Sequence, residues 1–350
     1  MLPAEVSDSR KDIRLKGLDG IRALCALFIL WGHMRQKDFA SWELDTFPLP
    51  ECCAYVFFVI SGFLAGFRIN TISSPIGYYR KKAKRILPLY YSYISVVVLV
   101  FLLLGRGSQV LNNNLLYYLF LVPGIPFART NGILPLVHLW FMGTLVLFYL
   151  VFPLFAKVKE EKRAIFAIVI SFIWLVFKLL LRINGGGYYY RLVSITCFDI
   201  LFMGVWGGLM IRKGLSFFGR KIVLPGVVAW GLFLLSGVYG RTIPAPLRAE
   251  YVSVLALIMI VYYQKSSSFS LLENKVTRFL GGISYEIYVC HILIVILLSD
   301  YFCQMNWQLA GWLLYLIVTV MVVICAFVTK LFLESVFHKH TESIRKWISC

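Results

Sequence analysis

The chain has 350 residues, 60% of them hydrophobic and only 15% charged, with a formal net charge of +18. That balance excludes an ordinary soluble domain, which carries more charge and shorter apolar runs. The positive charge is spread along apolar sequence, so no basic soluble domain exists to hold nucleic acid.

Apolar stretches of membrane length recur from end to end. Ten spans are expected, near 18–35, 52–69, 87–105, 136–156, 164–181, 194–211, 222–239, 250–264, 282–299 and 310–333. A further apolar run, Leu115–Val122, is too short to cross and reads as re-entrant or interfacial. Lipid cannot satisfy free backbone groups, so an all-α transmembrane bundle follows. The runs lack the alternation of an outer-membrane barrel. One membrane domain over 1–350 is expected, with 1–17 and 334–350 as cytoplasmic end segments.

Orientation follows from Lys and Arg. With the N-terminus inside, the inner segments carry 23 of them, including Arg80–Arg85, and the outer segments 8. The alternation holds through every loop, which places both termini in the cytoplasm. No small-residue cleavage site follows the first segment, so it reads as a retained helix.

The first segment carries the most informative pattern, Leu18-Asp19-Gly20-Ile21-Arg22-Ala23, with His33 eleven residues beyond Arg22. Eleven steps make about three helical turns, so both side chains share a face with a rise of roughly 16 Å. Asp19 lies one turn from Arg22 and can pair with it. Anchoring at the two membrane edges would also explain these residues. Intramembrane Arg and His are costly enough to suggest function.

Later segments add polar groups at membrane depth. Phe57–Leu64 contains Ser61-Gly62, a helix-packing notch or a polar contact. The basic run from Tyr79 to Tyr91 is a topogenic patch or a phosphate clamp at the cytoplasmic mouth. His138-Leu139-Trp140-Phe141-Met142-Gly143 opens the fourth span, and Trp140 suits an interfacial belt. Asp199 and Lys178 are candidates for a mutual ion pair. Tyr188, Tyr189 and Tyr190 suit either sugar stacking or interfacial anchoring. Glu250 reads as a helix N-terminal charge. Gly282 to His291 opens the ninth span, with Tyr288 in it.

Of five histidines, His338 and His340 fall in the basic tail. His33, His138 and His291 are far apart in sequence, so no metal site is expected from their spacing. Cysteines are scattered without a CxxC; Cys52, Cys53 and Cys303 near the outer face leave one disulfide open.

The ordered blocks Leu18–His33, Phe57–Leu64, Arg80–Tyr91, His138–Gly143, Ile283–His291 and Leu331-Phe332-Leu333-Glu334-Ser335 resemble the acyltransferase-3 family of integral-membrane O-acyltransferases. The resemblance implies a ten-helix core in a bacterial cytoplasmic membrane. It implies acyl-CoA, usually acetyl-CoA, as donor, and a hydroxyl of a surface or lipid-linked glycan as acceptor, with no permanently bound cofactor. On this reading His33 is the general base, Arg22 stabilises charge or supports the CoA arm, and Asp19 orients Arg22. Arg80, Lys81, Lys84, Arg85 and Ser61 would hold the donor. His138, Trp140, Tyr288, His291 and Glu334 would contact the acceptor. Some relatives add an eleventh helix and an extracytoplasmic esterase-like domain; neither is legible here, so a core acting alone is expected. A multi-spanning transporter or flippase is the alternative, which paired broken helices or internal symmetry would support.

Overall fold

The computed structural model describes residues 15, 17–35, 49–214, 247–265, 272–305 and 311–337. Every regular element among them is helical. The first three helices are α1 (Leu18–Arg35), α2 (Leu49–Phe67) and α3 (Pro75–Leu103). Short helices α4 (Gly107–Val110), α5 (Leu115–Leu119) and α6 (Gly124–Ala128) lead to a 3₁₀ turn, Leu134–Leu139. Then come α7 (Trp140–Ala156), α8 (Glu160–Ile183), α9 (Gly187–Thr196) and α10 (Phe198–Arg212). The last described helices are α11 (Arg248–Lys265), α12 (Lys275–Gly282), α13 (Ser284–Gln304) and α14 (Gly311–Phe337).

Six helical stretches are long and apolar enough to cross a membrane: Pro75–Leu103, Leu134–Ala156, Glu160–Ile183, Gly187–Arg212, Ser284–Phe302 and Gly311–Val336. They correspond to six of the ten expected spans. α1, α2 and α11 form where spans were expected. However, α1 and α11 each carry three Asp, Glu, Lys or Arg residues, and the apolar part of α2, Cys52–Phe67, is short. The expected span at 222–239 lies outside the described residues, as do His338 and His340. Large apolar side chains such as Phe172 and Ile173 on α8 and Leu316 and Val320 on α14 face outward. Such faces are stable in hydrocarbon, and the chain is an integral membrane protein.

The third span starts earlier than expected. Ser74 accepts a hydrogen bond from Gly77 N at 3.1 Å and Pro75 follows in the first turn. This N-terminal cap sets a helix that runs through the whole basic stretch. Arg80–Arg85 is therefore helical, and its residues point in different directions. The short apolar run becomes α5, closed off by Leu121 at φ 61°.

α10 lies against α2 through glycines on both helices. A Cβ at Gly62 would come 2.0 Å from Leu201 O, and one at Gly66 2.2 Å from Val205 O. From the other side, a Cβ at Gly208 would meet Phe63 O at 2.1 Å. Each helix thus offers small residues four apart, and the backbones touch. Gly62 is the packing notch that the sequence suggested.

The span Gly187–Arg212 is broken at Cys197, whose φ is 48°. The carbonyls released there are taken up locally. Thr144 Oγ1 donates to Ile195 O at 2.6 Å, and Cys197 N donates to Ser194 O at 3.3 Å. Trp174 Nε1 donates to Thr196 Oγ1 at 2.8 Å. The break is closed by protein groups, as backbone at membrane depth requires.

Lys178 on α8 donates to Asp199 Oδ2 on α10 at 2.6 Å, so the expected pair forms. Glu250 on α11 joins the same ammonium. The reading of Glu250 as a helix-end charge alone is corrected: it is the third member of a buried ion cluster. Asp199 Oδ1 also accepts from Ile200 N at 2.9 Å, and its charge stands in the first turn of α10 after the break. Cys52 and Cys53 are buried, and the side chain of Cys303 lies outside the described residues.

Candidate functional site

α1 carries two polar positions about three turns apart, and a different set of residues gathers at each. At the first, Asp19 Oδ1 lies 3.6 Å from Arg22 Nη1. The i, i+3 spacing brings them onto one face, as the sequence implied. Arg22 is within electrostatic range of Arg85, Arg68 and Tyr149. Tyr149 on α7 forms a hydrogen bond with Ser61 on α2, and Lys82 Nζ stands 4.0 Å from the centre of its ring. Lys82 also faces the ring of Tyr78 at 5.4 Å. This end therefore gathers four cations, Arg22, Arg68, Lys82 and Arg85, with the hydroxyls of Ser61, Tyr78 and Tyr149.

Arg80, Lys81, Lys84 and Arg85 are all exposed, whereas Lys82 is half-buried. Arg85 acts on Arg22, Tyr149 and Glu286, and both Arg85 and Lys81 act on Lys82. Sequence reasoning missed Lys82 and Tyr149. The signal for Lys82 was present: Leu89 and Tyr93 are seven and eleven residues on, within about 20° on a helical wheel. Both are buried, so their face is the inward one. Arg80 is about 180° from Leu89 and Lys84 about 140°.

At the second position three histidines meet. The rings of His33 and His291 are 4.9 Å apart and those of His138 and His291 5.2 Å. α1, the 3₁₀ turn and α13 each supply one. The turn is held in place from α3 and α13. Tyr93 Oη donates to Pro135 O at 2.8 Å, and Tyr288 Oη donates to His138 O at 2.6 Å. Tyr90 Oη and Tyr91 Oη fix the preceding segment through Tyr118 O and Leu119 O, both at 2.9 Å. Five of the sequence-selected residues, His33, His138, Trp140, Tyr288 and His291, thus belong to this end. Trp140 is half-buried: it stacks on Phe127 at 5.2 Å and adjoins Phe58 at 5.9 Å. Glu334 is at the opposite end, half-buried near the foot of α14 and within electrostatic range of Glu286.

Hydrogen-bond geometry sets the histidine tautomers, because a carbonyl oxygen only accepts. His33 Nδ1 is 2.9 Å from Ile29 O and carries a hydrogen. His291 Nδ1 is 2.6 Å from Tyr288 O, and His138 Nε2 is 3.0 Å from Val289 O. Each neutral ring then keeps one lone pair. That of His138 Nδ1 is buried and has no partner among the described residues. That of His33 Nε2 belongs to a half-buried ring and is unpartnered among the described residues. No group of three or more His, Cys, Asp or Glu among the described residues is placed to hold a metal ion. A base with an open nitrogen stands at this end of α1, and cations suited to phosphate or carboxylate stand at the other.

Comparison with known proteins gives the site its context. The family model described as an acyltransferase domain, Acyl_transf_3, matches residues 15–331. O-acetyltransferase OatA of Staphylococcus aureus (strain NCTC 8325 / PS 47) is 24% identical over 326 residues, covering 83% of this chain and 52% of OatA. The putative acetyltransferase ORF330 of Acidianus two-tailed virus is 28% identical over 297 residues, covering 80% of this chain and 83% of the viral protein. The chain therefore spans about half the length of OatA. No solved structure matches. The matched region takes in both ends of the α1 site, and the chain belongs to the acyltransferase family that this domain defines.

Proposed function

We propose that the chain transfers an acyl group, acetyl in the simplest case, from acyl-CoA to a hydroxyl of a cell-surface or lipid-linked saccharide. The observation that carries this reading is the division of α1. The open Nε2 of His33 lies about three turns from the cationic set around Arg22. The similarity to proteins named as acetyltransferases favours an acetyl donor.

In this reading the CoA phosphates lie on Lys82, Arg85 and Arg22, where guanidinium and ammonium groups match phosphate oxygens. Ser61 and Tyr149 supply hydroxyls beside the pantetheine arm. Arg80, Lys81 and Lys84, being exposed, meet lipid headgroups instead. The basic stretch of α3 is cytoplasmic by its charge, and the histidine end lies toward the outer leaflet. The arm would then run along α1, and the membrane would be a bacterial cytoplasmic membrane.

His33 Nε2 takes the proton of the acceptor hydroxyl as its oxygen attacks the thioester carbonyl. The tetrahedral intermediate collapses, the C–S bond breaks, and the thiolate recovers the proton from His33. Atoms balance as acylated saccharide and free CoA, and His33 returns to its resting tautomer.

The test is incubation of purified protein with radiolabelled acetyl-CoA and a saccharide acceptor, scored as O-acetyl product. His33→Ala should lose at least about 100-fold in turnover while still binding CoA. Near-normal turnover by that variant would remove His33 as the base. Absence of O-acetyl product from the unaltered protein across saccharide acceptors would reject the substrate class.

A further inference from the structure

The second nitrogen of the proposed base has a partner that the acyl-transfer reading leaves unused. His33 Nδ1 lies 3.2 Å from His291 Nε2 in addition to its bond to Ile29 O. His291 Nδ1 is committed to Tyr288 O, so the Nε2 of neutral His291 holds a lone pair. That lone pair faces the single Nδ1–H of His33, which is shared between Ile29 O and His291 Nε2. The bond runs from α1 to α13 across 258 residues of sequence, so no local helical rule produces it.

His291 is itself tightly placed. It is 1% exposed, its ring meets His138 at 5.2 Å, and His138 is fixed by Val289 O. The ring also adjoins Tyr288 at 5.7 Å. No carboxylate among the described residues pairs with any of the three histidines. The position that Asp occupies behind His in a serine-hydrolase triad is therefore held by an imidazole.

We infer that His291 is the positioning residue for His33: it accepts the Nδ1–H, holds Nε2 unprotonated and correctly aimed, and shares the charge when Nε2 is protonated. This rests on His33 being the base, and it moves His291 from the acceptor-contact set to the base's support.

The proton count is unchanged. At rest His33 carries hydrogen on Nδ1 and His291 on Nδ1. On taking the acceptor proton, His33 becomes an imidazolium, and its Nδ1–H donates more strongly to His291 Nε2. When the CoA thiolate recovers the Nε2 proton, both rings return to neutral. The physical advantage is the resting state. A buried carboxylate beside a neutral base would be an uncompensated charge inside the membrane domain. An imidazole is neutral until the moment the charge arrives.

The experiment compares variants of the full chain in detergent or nanodiscs, each checked for its Tm. His291→Phe keeps a ring but removes the acceptor; His291→Gln offers an amide oxygen near the position of Nε2. Expected is a loss of about 100-fold in kcat for the Phe variant, with the KM values for acyl-CoA and saccharide within about twofold. The Gln variant should recover at least about tenfold of that loss. Should the Phe variant fail to fold, His291→Leu supplies the acceptor-free comparison. Unchanged kcat without the acceptor, equal loss in the Gln and Phe variants, or a loss confined to the saccharide KM would each overturn the inference. The parent reading is separated by His33→Ala. If that variant is inactive and the Phe variant is not, only the role of His291 falls. If His33→Ala is active, both fall.

Discussion

Two buried polar clusters sit among these helices, and they are built on opposite terms. Lys178, Asp199 and Glu250 bring full charges together from α8, α10 and α11. His33, His138 and His291 bring neutral rings together from α1, the 3₁₀ turn and α13. In the first cluster the ammonium meets two carboxylates, and one carboxylate also accepts from a backbone N–H in the first turn of α10. Its ammonium is shared by both carboxylates, with Glu250 Oε2 left over among the described residues, and it straps three helices around the break at Cys197. In the second, backbone carbonyls take one nitrogen of each ring, His291 Nε2 meets His33 Nδ1, and the second nitrogens of His33 and His138 stay open among the described residues. Cost of burial alone marks both clusters. Capacity for a reaction is marked by what remains unpaired after the local bonds are made.

The sharpest way to break this contrast is to remove the ammonium. Lys178→Met leaves two carboxylates buried together and should destabilise the fold by about 3–5 kcal/mol, read as a lower Tm. Folded protein should keep its kcat. Adding Asp199→Asn and Glu250→Gln should restore much of the Tm, because uncompensated charge is the cause. A drop in kcat with an unchanged Tm would place this cluster in the reaction and erase the distinction.

A smaller effect tests whether the framework between the clusters is set by backbone contact. Gly62→Leu places side-chain atoms where Leu201 O lies 2.0 Å from an ideal Cβ. The expected loss is about 1–3 kcal/mol from forced separation of α2 and α10. Unaltered stability would show that the two helices separate freely.

The smallest effect concerns the cationic end. Lys82→Gln should raise the acyl-CoA KM about tenfold through one lost charge-assisted contact. Lys81→Gln, at an exposed position, should change it by less than about twofold. Equal effects of the two would return the basic stretch to a diffuse surface role.

The basic stretch also shows how legible the site was. Composition singles out six consecutive positions, Arg80–Arg85, but composition carries no direction. Once Ser74 and Pro75 begin a helix, the phase of Leu89 and Tyr93 selects Lys82 and turns Arg80 and Lys84 away. Tyr149 had no comparable signal, since an aromatic in an apolar span looks like any other. The contacts of Trp140 with Phe127 and Phe58 likewise carried no signal, since no local period links these residues.

By itself the sequence determined the all-helical membrane class, the helical face shared by Asp19, Arg22 and His33, and the need for Lys178 and Asp199 to find each other. These follow from local period and from the cost of burying charge, both of which act over a few residues or on a single group. The tertiary structure alone decided that His138 and His291 reach His33, that Glu250 completes the ion cluster, and that Glu334 stays at the other end. Such meetings depend on how helices distant in sequence pack, here through the glycine contacts of α2 and α10 and the tyrosine bonds that seat the 3₁₀ turn. No periodicity within one helix encodes them.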